Sequence, residues 1–419
     1  RWGAFWSLGL GWNLHHEPFL KDNPWIRQLK LRMSTGYTGT QNFNPYQARA
    51  RYRYSDIIYN GRYGALLQGL PNNALRWQKV LDSNYGFDLT LKQFLNVRFD
   101  YYTQKTTNML SDITTALSTG FTTYKANLGE IKNKGYDLTL SLTPWRDNKQ
   151  RGWLTFTFSA LHNENKIVKI YDLFKSYNTL QNSGKEENIN TGSSAPTAPE
   201  IEADRNNKTK PSTLYYEGCS MTAIWGVPSL GIDPMTGRRI YVDKNGNPTY
   251  NWNVEDQRII GDTAPKLQGT IGLSGGWRGL TWGISCSYRL GGDFYNSTLV
   301  NKVENVTGWN NLDRRIYDSW RNVGDIAPYK ELAVSNSYSM DYTKPNSCFV
   351  QKNNELYCNS INVGYELGEL PFIKNAGFVD RLKLTFYMNE LFRLSSVKVE
   401  RGTDYPFART FSLSLQATF

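Results

Sequence analysis

The residues best suited to covalent chemistry lie in Gly272-Leu273-Ser274-Gly275-Gly276, which matches the G-x-S-x-G pattern of a nucleophilic serine. That chemistry needs a sharp strand-to-helix elbow to lift the hydroxyl toward a base. Here Trp277-Arg278-Gly279 turns straight into another alternating segment, so Ser274 falls within a strand and no hydrolase is expected. Asp243-Lys244-Asn245-Gly246-Asn247 spaces oxygen ligands as a calcium loop would, but its glycine comes early and no Glu stands at the twelfth position. A hairpin turn on Asn245-Gly246 is the expectation there. The chain has only three histidines; His15 and His16 fall in a short turn and His162 at a strand end, a spacing that holds no metal. Paired carboxylates at Glu186-Glu187 and at Asp313 with Asp318 fall in connections, where acidic residues usually solvate. No acid–base set, metal or cofactor is expected, and an enzyme is excluded.

Contacts with a ligand are the better functional candidates. Long connections carry Tyr46, Tyr63, Trp225, Tyr241, Phe294, Tyr295, Trp309 and Trp320, and aromatic faces suit sugar rings or peptide side chains in a concave site. Packing within the connections is the competing explanation for any one of them. Net charge is +11, but the 48 basic residues are scattered among 37 acidic ones with no tract beyond pairs such as Arg238-Arg239 and Arg314-Arg315. Nucleic acid is not an expected partner.

The elements that must position these residues are strands. Aromatics make up 14% of the chain (27 Tyr, 19 Phe, 13 Trp), while mean hydropathy is only −0.55. No segment approaches the ~18 to 20 consecutive apolar residues of a membrane-spanning helix. A transmembrane β-barrel reconciles both facts, because lipid-facing residues alternate with polar ones and aromatics form interfacial girdles. From Leu280 to Leu290 every even residue is apolar or aromatic and every odd one small or polar. Thr410–Phe419 repeats the pattern with Phe411, Leu413, Leu415, Ala417 and Phe419 on one face. Further strands are expected at Phe5–Asn13, Leu29–Thr38, Leu75–Leu89, Phe94–Lys105, Gly135–Thr143, Trp153–Leu161, Lys266–Trp277, Leu356–Leu367 and Leu382–Asn389, which makes eleven. Their links alternate between short (Thr90–Gln93, Pro144–Gly152, Arg278-Gly279) and long (Gly39–Ala74, Thr106–Ala126, His162–Pro265, Gly291–Glu355, Glu390–Thr403). The short ones are expected in the periplasm and the long ones outside the cell. Bacterial single-chain barrels have even strand numbers, so eleven strands leave a piece missing on the N-terminal side. Arg1-Trp2-Gly3-Ala4, which opens in mid-pattern with no signal peptide, fits that expectation. Of the four cysteines, Cys219, Cys286, Cys348 and Cys358, only Cys348 and Cys358 are near enough in sequence to suggest a bridge.

Several segments resemble the SusC/RagA-like branch of the TonB-dependent receptors. They are Phe5–Asn13 (FWSLGLGWN), Leu29–Gly39 (LKLRMSTGYTG), Gln41–Tyr46 (QNFNPY), Ala223–Pro234 (AIWGVPSLGIDP), Lys302–Asn305 (KVEN) and the last strand. The resemblance implies an all-β chain forming the C-terminal half of a barrel of about 22 strands, with the plug domain lying outside this chain. It further implies active import of an oligosaccharide or peptide across the bacterial outer membrane. The implied partners are TonB-ExbB-ExbD, the N-terminal half of the barrel with its plug, outer-membrane lipid, and a SusD-like surface lipoprotein, with transporter–lipoprotein pairs associating as a dimer. Phe419, the terminal aromatic, resembles the signal read by the outer-membrane assembly machinery. The family pattern has Arg before Phe-Val where this chain has Cys348 before Phe349-Val350, so any role of that Arg is not carried over. A passive porin or adhesin would show the same alternation without plug or energy coupling, and plug sequence upstream in the gene would separate the two readings. A barrel enzyme would need a clustered Ser/His/acid set that is not present.

Overall fold

The computed structural model describes residues 4–40, 48–114, 120–171 except 122 and 128, scattered positions between 175 and 185, and residues 207–306, 312–332, 342–369, 381–398 and 409–418. Eleven antiparallel strands follow one another in chain order across a single sheet. They are β1 (Trp6–Asn13), β2 (Ile26–Thr40), β3 (Gln78–Leu91), β4 (Leu95–Thr107), β5 (Gly129–Asp147), β6 (Gly152–Ile170), β7 (Leu267–Trp277), β8 (Leu280–Tyr295), β9 (Val350–Glu366), β10 (Arg381–Asn389) and β11 (Thr410–Thr418). A short twelfth piece, Arg393–Ser395, pairs with β9 beyond the end of β10. β1 and β11 each have one neighbour among the described residues, so the sheet has two unpaired edges. No described helix is long and apolar enough to cross a membrane.

All eleven expected strands are present in the expected order, and the differences lie at their ends. Leu75 is buried but lies before β3, which starts at Gln78. β5 and β6 run 19 residues each, and β8 and β9 reach Tyr295 and Val350, well past the stretches where apolar residues alternate. Each extension continues the backbone ladder beyond the apolar band, where the alternating residues become polar.

At one end the connections are tight. Between β7 and β8, Arg278 and Gly279 take φ of 48° and 87°, the two positive values of a type I′ hairpin, whose twist matches that of the strands it joins. Between β5 and β6 the Asp147 carboxylate accepts the amides of Lys149 (2.9 Å) and Gln150 (3.3 Å). At the other end the connections are long and hold structure of their own. Ala223–Gly226 pairs with Arg258–Asp262, and Ser229–Ile232, Arg239–Val242 and Pro248–Thr249 make a small three-stranded sheet. The Ser297–Leu299 helical turn runs into a π-turn at Val300–Glu304. Ile224, Tyr295, Leu299, Val300, Val303 and Phe349 pack into one apolar core that joins these pieces to the tops of β8 and β9.

The two faces of the sheet differ sharply. In register across β2 to β6, Leu31, Phe87, Phe99, Leu138 and Ala160 share one row of the apolar face. The opposite face carries Arg32, Asp88, Arg98 and Asp100. The Arg32 guanidinium reaches Asp88 (2.8 Å) and Asp100 (3.0 Å), and Arg98 also meets Asp100 (3.1 Å). Gly86 lies beneath this cluster, where a Cβ would run into the Asp100 carboxylate and the backbone of Phe99. One face therefore suits lipid and the other a hydrated, charged interior.

The residues first considered for chemistry are engaged in local structure where they are described. Ser274 pairs with Thr155 and Gly283 in the middle of β7, with no elbow. Asn245-Gly246 does turn a hairpin, and the Asp243 carboxylate accepts the amides of Asn245 and Asn247 (both 2.8 Å). His15 and His162 contact the carbonyls of Leu29 and Lys266. Asp313 is engaged by Arg315, and Glu186-Glu187 lie outside the described residues. Among the described residues there is no group of three or more metal-binding side chains. The bridge suggested between Cys348 and Cys358 is not made, and all four cysteines are free. Cys358 lies opposite Cys286 on the β8–β9 ladder, while Cys348 is in the turn before β9. An extended strand rises ~3.4 Å per residue, so eight residues of β9 keep those two cysteines far apart.

Candidate functional site

A cavity of about 540 Å³ opens in the layer of folded connections. Four chain segments meet there, one of them contributing Lys330 and Glu331. The small sheet brings Arg238, Arg239 and Tyr241, and the bend after it brings Tyr250 and Trp252. The π-turn supplies Glu304 with Asn305, and Tyr342, Thr343 and Lys344 come from the approach to β9. Pro345 ties two of these segments together, because its carbonyl accepts the amide of Val227 (3.1 Å) and the indole N–H of Trp252 (3.0 Å).

The buried part of the lining is an ion pair. Arg239 donates from Nη2 to Glu304 Oε1, with side-chain exposures of 3% and 0%. A buried pair is most stable when its remaining hydrogen-bonding groups are satisfied; here Glu304 finds further donors, while Arg239 Nε and Nη1 find no hydrogen-bond partner among the described residues. Glu304 also accepts from Thr343 Oγ1 (2.8 Å) and the backbone N–H of Lys330 (3.1 Å). The Arg239 guanidinium lies 5.1 Å from the centre of the Phe349 ring, so the residue after Cys348 receives its cation from a distant strand. Asn305 Oδ1 accepts the amide of Thr343 (2.8 Å). The Lys302–Asn305 segment thus anchors the layer from inside.

The exposed part of the lining is aromatic and charged. Arg238 lies over Tyr250 (4.8 Å) and Lys344 over Trp252 (4.8 Å). Tyr250 donates its hydroxyl to Asp233 (2.6 Å), and this bond, with those from the Met235 amide and Thr236, holds the Asp233 carboxyl below its usual range. Tyr295 lies buried beneath the layer, where its hydroxyl donates to the Thr209 carbonyl (3.3 Å). Ring faces beside fixed donors and acceptors of both signs can grip sugar rings or peptide groups.

The predicted aromatic residues divide. Tyr241 lines this cavity, and Phe294 lines a second one of about 890 Å³ with Phe392, Arg393, Lys398 and Arg409. Phe294 and Tyr295 belong to β8 rather than to a connection. Trp225, Tyr295 and Trp320 are buried and do packing work: Trp225 lies 5.0 Å from the Tyr216 ring, Tyr295 6.2 Å from Phe349, and Trp320 donates to the Pro234 carbonyl (2.9 Å). Tyr63 stands exposed on a separate hairpin formed by Tyr52–Tyr59 and Arg62–Leu67. Tyr46, Trp309 and Phe419 lie outside the described residues. Sequence reasoning missed Tyr250, Trp252, Tyr342 and the Arg239–Glu304 pair. The available signals were the Arg238-Arg239 doublet and the charged Glu304 inside the KVEN segment.

Fold and surface define an outer-membrane β-barrel wall with a folded layer of connections at one end. No protein-family model matches the chain. It is 27% identical to TonB-dependent receptor P39 of Formosa agariphila over 94% of its own length and 39% of that protein's. It is also 27% identical to TonB-dependent receptor SusC of Bacteroides thetaiotaomicron, over 100% of the chain and 40% of the relative. The solved RagAB peptide transporter superposes with a TM-score of 0.76 at 19% identity, covering 99% of this chain and 43% of that one, which establishes the shared fold. The chain is SusC/RagA-like, as its sequence segments indicate, and spans about two fifths of the length of the curated relatives it matches.

Proposed function

We propose that this chain forms part of the wall and the outer loop layer of a TonB-dependent transporter importing a large nutrient, an oligosaccharide or a peptide. The carrying observation is the 540 Å³ cavity, whose Tyr241, Tyr250, Trp252 and Tyr342 stand among charges of both signs above a SusC/RagA-like sheet. On this reading the tight turns face the periplasm, the long connections face outward, and the cavity takes part in capture. A SusD-like surface lipoprotein docks on the folded connections and closes over the ligand, while TonB-ExbB-ExbD acts through the plug half of the protein. The ordered pairing within residues 223–262 supports docking, since a preformed surface loses little entropy when a partner binds.

The test uses the complete transporter lacking Lys208–Asp262. Lipoprotein recovery on co-purification and ligand uptake should both fall while the barrel remains heat-modifiable. Unchanged recovery together with unchanged uptake would show that the segment serves neither docking nor capture.

A further inference from the structure

The apolar face of β2 to β6 changes character in discrete rows. Above the row of Phe87 and Phe99 comes an aromatic row in which Tyr85, Tyr101, Tyr136 and His162 are directly paired across four strands. Such a row marks the membrane–water boundary, because an amphipathic ring has one apolar part and one wet part. The next row carries Lys134 and Glu164. The row above it places Lys105, Lys132 and Lys166 side by side, and the next holds Lys79, Glu130 and Lys169. Six lysines and two glutamates thus occupy one outward patch, and all six lysines are exposed.

Three of the lysines are ion-paired locally, by two glutamates, which leaves one surplus positive charge among them. Lys105 pairs with Glu130 (2.9 Å), and Lys134 (2.9 Å) and Lys166 (2.8 Å) share Glu164. Lys79, Lys132 and Lys169 have no ion pair among the described residues. On the opposite face at the same height stand Asp82, Gln104, Asn133 and Asn165, with no lysine. Farther round the wall, the outward positions in the row of His162 are Leu267 and Leu290, and Leu356 lies one outward row lower. The six lysines therefore cluster on four adjacent strands, and the exposed lysine high on β9, Lys352, is paired with Asp293 (2.6 Å).

Height decides what they meet. Lys105 is four residues above Tyr101, about 13 Å along the strand and roughly 10 Å in height for a strand tilted ~40°. A lysine stem extends several ångströms and bends toward the interface, so its ammonium falls within the headgroup layer. We propose that this lysine ladder on β3 to β6 binds the phosphate-bearing headgroups of outer-leaflet lipid. The three unpaired lysines supply most of the net attraction, and the tyrosine row below holds the acyl boundary. The inference rests on the outer-membrane location and on the proposed orientation with the long connections outward, and not on transport or on any ligand of the loop cavity.

The test compares the complete transporter with its Lys79→Gln/Lys132→Gln/Lys169→Gln variant, which leaves every ion pair of the patch intact. Each protein in neutral detergent is titrated with a diphosphorylated glycolipid or with the same glycolipid stripped of phosphate, and bound lipid is counted by native mass spectrometry. One lysine near an anionic surface contributes about a factor of five, so the variant should bind the phosphorylated lipid at least about tenfold more weakly. Binding of the stripped lipid should not change. Loss of charge elsewhere, as Lys21→Gln/Lys149→Gln, should leave lipid binding as it was, and Lys→Arg changes at the three ladder positions should preserve it. If the triple variant folds poorly, Lys132→Gln alone should still weaken binding severalfold. Equal affinity of variant and parent, or an equal loss for phosphorylated and stripped lipid, would overturn the proposal. Displacement of bound lipid by millimolar inorganic phosphate would also overturn it, by revealing a site for the free ion.

Discussion

Replacing Glu304 by Ala should open the loop layer far more than any surface change. The substitution strands the Arg239 guanidinium in a place where its side chain is 3% exposed, and removes the acceptor for the Thr343 hydroxyl and the Lys330 amide. Breaking a buried pair from one side costs about 3 to 5 kcal/mol. With each ~1.4 kcal/mol worth a factor of ten, the local opening constant should rise about 100- to 4000-fold. Limited proteolysis of the complete transporter reads this directly when opening and closing outpace cleavage, because the rate then follows the open population. Cleavage should concentrate in the segments around Val300–Glu304 and Tyr342–Phe349, with the barrel still heat-modifiable. Removing both charges, as Arg239→Met/Glu304→Leu, should recover a large part of the loss, leaving about 1 to 3 kcal/mol for the unpaired Thr343 and Lys330 donors. Cleavage of Glu304→Ala at the parent rate, or a double variant worse than the single, would refute the claim that this pair anchors the layer.

Two further outcomes follow from the same structure. Ile284 is outward on β8 and 37% exposed, so Ile284→Arg should destabilise the membrane-inserted barrel by about 2 to 4 kcal/mol; equal insertion and heat stability would sink the face assignment. Asp233 and Asp243 are both held below the usual carboxylate range, the first chiefly by the Tyr250 hydroxyl and the second chiefly by the Asn247 amide. A depressed carboxylate contributes stability that is complete above its unfolded value of about 3.9 and is lost as pH falls through the folded one. The Ser229–Thr249 sheet should therefore resist protease at neutral pH and loosen below about pH 4, and Asp243→Asn should flatten that dependence.

The wall was legible because a bilayer reads a strand one residue at a time. Each outward position from Leu280 to Leu290 had to be apolar or aromatic and each inward one polar or small, so period two alone located β8 and its ten companions and fixed which face each residue takes. The same signal stops where the bilayer stops. Past Tyr101 and Tyr136 the outward residues become Lys105 and Lys132, the hydrophobic contrast disappears, and only backbone pairing in the folded sheet carries β5 and β6 on to their full lengths.

The cavity could not be read in this way. Arg239, Trp252, Glu304 and Thr343 come from segments separated by up to about a hundred residues, and no local period joins them. Sequence identified aromatic residues without separating Tyr241, which lines the cavity, from Trp225, Tyr295 and Trp320, which pack within the layer. Tyr241 is itself buried, like the three packing aromatics, so burial alone does not separate them. The difference is which other segment lies against the ring, and that is set by long-range contacts such as Pro345 with Val227 and Trp252. Composition and alternation determined the barrel wall, because the membrane imposes its demand on each strand separately; the tertiary fold decided the site, because burial and charge pairing there depend on chain segments that meet only after folding.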